Sequence, residues 1–159
     1  MLEIMSTVMI LSILATLSFV GLSKTLGHQR LMGDSNTTAA ALKYIGGEAR
    51  VGKKTVSVQV NLDNDFIIGW IDDDEDGVPD SLEEVIKRFD TSTGVDIRAG
   101  KIGTYNINGS GVFTFLDDGS SSKQVVFVLK SDSTEEEKTI FVNPSSGWVE
   151  VFKGAPIGL

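Results

Sequence analysis

The chain begins with a single apolar stretch. Residues 4–22 carry no charged side chain and consist mostly of Ile, Leu, Met, Val, Ala and Phe. In an α-helix rising ~1.5 Å per residue, this stretch spans roughly 28 Å, which is about the thickness of a bilayer core. The pattern therefore predicts a transmembrane helix over residues 1–22. A cleavable secretory signal and a plain membrane anchor are the alternatives. A secretory signal requires basic residues before its apolar core, and no Lys or Arg precedes the apolar residues here.

The helical pattern continues beyond this stretch with more polar residues. A broken apolar stripe at helical spacing predicts an amphipathic continuation of the helix over residues 23–50. Gly46-Gly47 predicts its end or a frayed last turn. The lone His28 lies in this segment and is interpreted as a surface histidine, because no second metal or catalytic ligand accompanies it.

After the helix, apolar and polar residues alternate with a period of two, which indicates half-buried strands in a β-rich head over residues 51–159. Turn dipeptides such as Asn108-Gly109 and Asp118-Gly119 separate the strands. Trp70 and Trp148 are predicted to fill the core between sheets. The expected fold is α+β, a long helix packed on an antiparallel sheet. The predicted strands are 56–62, 65–71, 83–89, 93–98, 111–116, 123–130, 137–143 and 147–153.

Charge is distributed unevenly along the chain. Residues 1–50 contain four basic and three acidic side chains, whereas residues 51–159 contain ten basic and nineteen acidic ones, a net charge of −9. Such a head repels phosphate backbones, so we expect no nucleic-acid partner. The chain contains no cysteine, which excludes disulfides, zinc-thiolate sites and thiol catalysis. With a single histidine and no nucleophile or phosphate-binding motif, it is not expected to be an enzyme.

The segment DDDEDGVPDSLE at residues 72–83 matches the calcium-loop pattern D-x-D-x-D-G-x-x-D-x-x-E at every specified position. Eight carboxylates lie within residues 72–84, and their mutual repulsion favours binding of a cation. A solvated acidic turn is the alternative. The flanks are predicted strands, so the loop would be an isolated calcium site that stabilises the head. The predicted ligands are Asp72, Asp74, Asp76, the Val78 carbonyl, Asp80 and Glu83.

Glu3 is the one charged residue at the start of the apolar helix. An ionised carboxylate at bilayer depth costs several kcal/mol unless it is paired or reaches the interface. A residue that simply extends to the membrane surface is one interpretation. The other is that Glu3 pairs with the α-amino group of Met1 in another subunit. Small residues in the helix favour close helix–helix packing and so support the second interpretation. These are Ser6, Thr7, Ser12, Ala15, Thr16, Ser18 and Gly21.

The N-terminal sequence MLEIMSTVMILSILATLSFVGL resembles the start of type IV pilins and type II secretion pseudopilins. Glu3 falls on the glutamate of that family, which is normally the fifth residue of the mature chain. The order of head features is similar to the GspH/FimT branch: Ala49-Arg50, Trp70, an Asp-rich turn at 72–83, and TIFVNPSSGWVEV at 139–151.

The resemblance implies a structural subunit that polymerises through its helix into a type IV pilus-like filament or a secretion pseudopilus. The implied partners are copies of itself, other pilins and the inner-membrane assembly platform. The precursor would be a single-pass inner-membrane protein, and the assembled filament would be periplasmic or extracellular. The alternatives are a minor pilin of a FimT-like DNA-uptake system, which the acidic head disfavours, and a membrane-anchored calcium-binding domain that does not polymerise.

Overall fold

The computed structural model describes residues 2–74 and 76–155, and the side chains of these except at residues 2, 3 and 17–20. Helix α1 runs without interruption over Leu2–Gly52. The predicted end at Gly46-Gly47 is therefore wrong. A Cβ at position 46 would lie 3.2 Å from Cε1 of Phe115, so the glycine at this position allows close packing of the helix on the sheet.

The helix ends instead in a left-handed cap. Lys53 has a φ of 52°, and the backbone N–H of Lys54 donates to the carbonyl of Ala49 at 3.2 Å. This bond is the one that closes a Schellman motif, here with a lysine where glycine is more usual.

The strands form two antiparallel sheets. The first has the order β3-β2-β1-β6 and the second the order β5-β4-β7-β8-β9. All eight predicted strands are present with small shifts at their ends, whereas β5 was not predicted and β4 is longer than expected. The strands are β1 (Val56–Asn61), β2 (Phe66–Ile71), β3 (Val85–Asp90), β4 (Val95–Ile102), β5 (Tyr105–Asn106), β6 (Ser110–Phe115), β7 (Val125–Ser131), β8 (Glu137–Val142) and β9 (Val149–Lys153).

The second half of α1 packs against both sheets and contributes to one continuous core, which confirms the α+β arrangement. From the helix, Leu31, Leu42 and Ile45 are fully or almost fully buried. The main partners from the strands are Val58, Phe113, Phe115, Phe127, Leu129 and Ile140.

Neither tryptophan lies in the predicted position between the two sheets. Trp70 is fully buried, but it pairs in register with Ser57 and so lies on the face of the first sheet that points away from the helix. Trp148 is 58% exposed because it lies in the turn before β9, outside the strand. The ammonium group of Lys43 lies 5.0 Å from the centre of its ring.

Polar contacts fix the helix to the head along its length. The guanidinium of Arg30 donates to the carbonyl of Thr93 at 3.0 Å, and that of Arg50 donates to the carbonyl of Asp118 at 2.8 Å. His28 contacts the carboxylate of Glu136 and lowers the pKa of that group. The histidine is at the surface, as predicted, and it holds the β7–β8 hairpin to the helix.

Candidate metal loop and assembly helix

The acidic loop lies across the outer face of the first sheet. It leaves β2 after Ile71 and returns to β3 at Val85. The side chain of Asp72 contacts Ser57 in β1, and a Cβ at Gly77 would lie 3.8 Å from Val112 in β6. The loop therefore crosses two neighbouring strands before it enters β3, and the strands that flank it agree with the predicted isolated loop.

Three of the predicted ligands are brought together. The carboxylates of Asp72, Asp74 and Asp76 each offer an oxygen within 4.8 Å of the others. Asp72 is only 5% exposed, and its Oδ2 accepts hydrogen bonds from Ser57 Oγ at 2.6 Å and from the backbone N–H of Gly77 at 3.1 Å. Its Oδ1 is buried and has no hydrogen-bond partner among the described residues.

A buried carboxylate oxygen without a hydrogen-bond partner costs free energy, which makes this oxygen a candidate ligand for a cation. The donor set consists of oxygen atoms alone, which suits calcium or magnesium better than a transition metal. Gly77 has a φ of +72°, as the sharp turn at this position of a calcium loop requires. The residues present therefore fit a hard divalent cation.

The remaining predicted ligands shape the second half of the loop. Val78 donates its backbone N–H to Asp76 Oδ1 at 2.7 Å. Asp80 accepts from the backbone N–H groups of Leu82 and Glu83, and its own N–H donates to Glu83 Oε2 at 3.1 Å. Asp80 and Glu83 are outside the cluster of three, although Glu83 Oε1 is also buried without a partner among the described residues.

Sequence reasoning missed Ser57 as a part of this site. In β1 apolar and polar residues alternate, and Ser57 is at one of the polar positions, where its sequence context is that of a solvent-facing serine. Its burial, with 2% exposure, follows from the loop that covers it. The loop pattern gives no information about which strand supports the loop, so the sequence carried no signal for this residue.

Residues 4–16 of α1 form an exposed, mostly apolar surface. The large apolar residues from Ile4 to Leu14 are between 50% and 73% exposed. The helix is long and apolar enough to cross a membrane, with a mean hydropathy of 2.1 over its most apolar window, and none of that window is buried. The hydroxyls of Ser12 and Thr16 donate to carbonyls one turn earlier, so these groups are satisfied within the helix.

The two residues predicted for assembly are not tested by these contacts. Met1 and the side chain of Glu3 lie outside the described part of the chain. Their pairing between subunits stays a prediction.

Comparisons with known proteins agree with this architecture. The family model described as type II transport protein GspH matches residues 34–146, from the second half of α1 to the turn before β9. A comparison with curated protein sequences finds no match.

Two solved structures share the fold at low sequence identity. One is the minor pseudopilin EpsH from the type II secretion system of Vibrio cholerae, with a TM-score of 0.60 and 10% identity over 80% of this chain and 97% of that chain. The other is the type IV minor pilin FimU of Pseudomonas aeruginosa, with a TM-score of 0.58 and 15% identity over 82% of this chain and 95% of that chain. The family match covers most of the head together with the helix that supports it, and the chain belongs to the GspH family of type II transport proteins.

Proposed function

We propose that this chain is a pilin or pseudopilin subunit that polymerises through residues 1–22 into a type IV pilus-like filament or secretion pseudopilus. The observation that carries this proposal is the form of α1. One continuous helix is built into the head by its second half and exposes residues 4–16, which carry no charge and are mostly apolar.

An apolar surface of this extent needs a cover. The eight exposed Ile, Leu, Met and Val residues between Ile4 and Leu14 exceed what a soluble monomer normally leaves in water. The length of the stretch suits a bilayer before assembly, and the helices of neighbouring subunits would replace lipid after assembly. Because the hydroxyls of Ser12 and Thr16 bond within their own helix, neither environment leaves these two groups unpaired.

The similar structures support the same role. EpsH is a minor pseudopilin of a type II secretion system, and FimU is a type IV minor pilin. In this proposal the partners are copies of the chain, other pilins and the inner-membrane assembly platform. The net charge of −9 over residues 51–159 disfavours the DNA-uptake alternative, because a DNA-binding head needs a basic surface.

We also propose that the loop at 72–83 binds one calcium ion and stabilises the head. Asp72, Asp74 and Asp76 would hold the ion, with Asp80, Glu83 and the Val78 carbonyl as further ligands. A bound cation would neutralise part of the carboxylate repulsion and satisfy the buried Asp72 Oδ1. The loop joins two neighbouring strands of the first sheet, so its closure would stabilise the fold.

Electron microscopy tests the assembly model. The full chain, purified in detergent and freed of detergent, is expected to form filaments, whereas a chain that lacks residues 1–22 is expected to stay monomeric. A matched pair of point variants refines the test. Ile10→Lys places a charge in the helix and should prevent filaments, whereas Leu82→Lys changes an exposed residue of the head and should not. Filaments formed by the truncated chain would rule out a core made from this helix.

A further inference from the structure

Ser57 is a buried serine on the outer face of a sheet. Its neighbours Val56 and Val58 point into the core shared with α1, so Ser57 points the opposite way. It is nevertheless only 2% exposed. Its Oγ lies 2.6 Å from Asp72 Oδ2 and 3.4 Å from Thr114 Oγ1 on the adjacent strand β6.

These contacts fix the orientation of the Asp72 carboxylate. A serine hydroxyl has one proton to donate, and Asp72 as a carboxylate can only accept, so the Ser57 proton points to Asp72. The hydroxyl of Thr114 can then donate to Ser57. The backbone N–H of Gly77 donates to the same Oδ2 at 3.1 Å. Both donors therefore act on one oxygen of Asp72, and Oδ1 is left free to bind a cation.

We propose that Ser57 is a positioning residue for the Asp72 ligand, so that the cation affinity of the loop depends on a hydroxyl supplied by strand β1. This inference rests on the proposed cation site. Hydrogen bonds to the far atom of a metal-binding side chain commonly change metal affinity about 10- to 100-fold, because they hold the ligand in its binding orientation.

The arrangement also couples the loop to the sheet. Strand β1 lies between β2 and β6, and its other face is part of the core that contains α1. Trp70 lies beside Ser57 on the outer face and is fully buried. A change in how the loop sits on Ser57 is therefore expected to change the environment of Trp70, which provides an optical signal that is independent of filament formation.

The test is a calcium titration of the full chain in detergent micelles, followed by isothermal titration calorimetry and by tryptophan fluorescence in a Trp148→Phe background. We expect a Kd of about 10⁻⁴ to 10⁻³ M for the parent chain. Ser57→Ala should raise the Kd about 10- to 100-fold. The matched control is Ser131→Ala, which removes another buried serine, from the second sheet, and should leave the Kd unchanged.

The outcomes separate this inference from the proposal on which it rests. A parent chain that binds no calcium overturns the cation site itself. A parent chain that binds calcium with the same Kd as Ser57→Ala overturns the role of Ser57 and leaves the site intact. If Ser57→Ala does not fold, Ser57→Cys serves in its place. A thiol is bulkier than a hydroxyl but still small, and it is a weak donor, so a raised Kd is again expected and an unchanged one again overturns the role.

Discussion

Asp34 in the middle of α1 accepts two hydrogen bonds from Ser92. The backbone N–H of Ser92 lies 2.7 Å from Oδ2, and its hydroxyl lies 2.8 Å from Oδ1. Asp34 is 7% exposed. Ser92 belongs to the turn that leaves β3 in the first sheet and enters β4 in the second. One helical carboxylate therefore holds the crossing between the two sheets.

Asp34→Ala is expected to destabilise the head by about 1–3 kcal/mol, because two partly buried hydrogen bonds to a carboxylate are lost. Asp34→Asn should lower the free energy of unfolding by less, since its amide oxygen can still accept a hydrogen bond from Ser92. The measurement is denaturant unfolding of the full chain in micelles. Asp90→Ala is the control, since it removes an exposed ion pair with Arg88 and should change stability by less than about 1 kcal/mol. Equal effects at positions 34 and 90 would contradict this role for Asp34.

Gly69→Ala is expected to destabilise the fold by about 1–3 kcal/mol through overpacking. A Cβ at Gly69 would lie 2.7 Å from Cδ1 of the buried Ile45. Gly47→Ala is the control in the helix, where a Cβ meets nothing within 4 Å. This second change should stabilise the helix by about 0.5–1 kcal/mol. Thermal melts of both variants test the difference in sign, and a stabilised Gly69→Ala would disprove close packing at this point.

These glycines show how far the sequence could predict the fold. Periodicity located the helix and eight strands, because burial on one face leaves a repeating signature in the chain. It placed the end of the helix, or a frayed last turn, at Gly46-Gly47, since a glycine pair is ordinarily a helix terminator. In the folded chain Gly46 instead meets Phe115, a residue distant in sequence. Contacts of this kind leave no local pattern. The same limit applies to Trp148. Its size suggested a position in the core, but it lies in a turn and is exposed.

Glu3→Ala is expected to leave membrane insertion intact and to reduce filament yield strongly. The predicted pairing of Glu3 with the Met1 amine of a neighbour would favour one register of docking, and unpaired burial of the carboxylate costs several kcal/mol. Membrane fractionation and filament recovery measure the two effects separately. Glu48→Ala is the control. It removes the other glutamate of α1, which is exposed and lies in the half of the helix that packs on the head, and this variant should assemble normally. Normal yield from Glu3→Ala would remove the proposed role.

Calcium at about 100 times its Kd is expected to stabilise the head by ~2.7 kcal/mol, which corresponds to a rise in Tm of about 5–10 °C. Magnesium should have a smaller effect, because it demands a tighter octahedral arrangement. Melts in calcium, magnesium and chelator test this. Asp74→Ala should abolish the calcium response, whereas Asp73→Ala removes the same charge at a non-ligand position of the loop and should retain it. A Tm indifferent to calcium in the parent chain would leave the loop as a solvated acidic turn.

Asp96→Asn is expected to raise the Tm near neutral pH. Although Asp96 is exposed, partial desolvation of its carboxyl group, together with the carboxylates of Asp132 and Asp65, raises its pKa. An acid whose pKa is higher in the folded than in the unfolded chain destabilises the fold once it ionises, so stability falls as pH rises through that interval. The advantage of Asp96→Asn should therefore be present at pH 7 and disappear near pH 3. Thermal melts of the variant and the parent chain at pH 7 and at pH 3 test this pH dependence. A rise in Tm of equal size at pH 3 would contradict it.

The candidate metal loop was predictable from spacing alone, because its three clustered carboxylates lie in one short segment of chain. Its support was not. Ser57 precedes the loop by 15 residues and contributes through strand pairing, which brings β1 beneath Asp72. The burial of Trp70 on the outer face has the same origin. A local motif can reveal ligands, but the groups that orient them depend on the order of strands in the sheet.

The contacts of Arg30, Asp34 and Arg50 with the head have a mechanical consequence. They span 20 residues of α1, or about 30 Å along its axis. Attachment at several levels resists both sliding and twisting of the head about the helix. The rotational orientation of each head is therefore fixed relative to that of its own helix. In an assembled fibre, the symmetry set by helices at the axis would be reproduced at the outer surface, so a label on any head would report the angular position of the helix within.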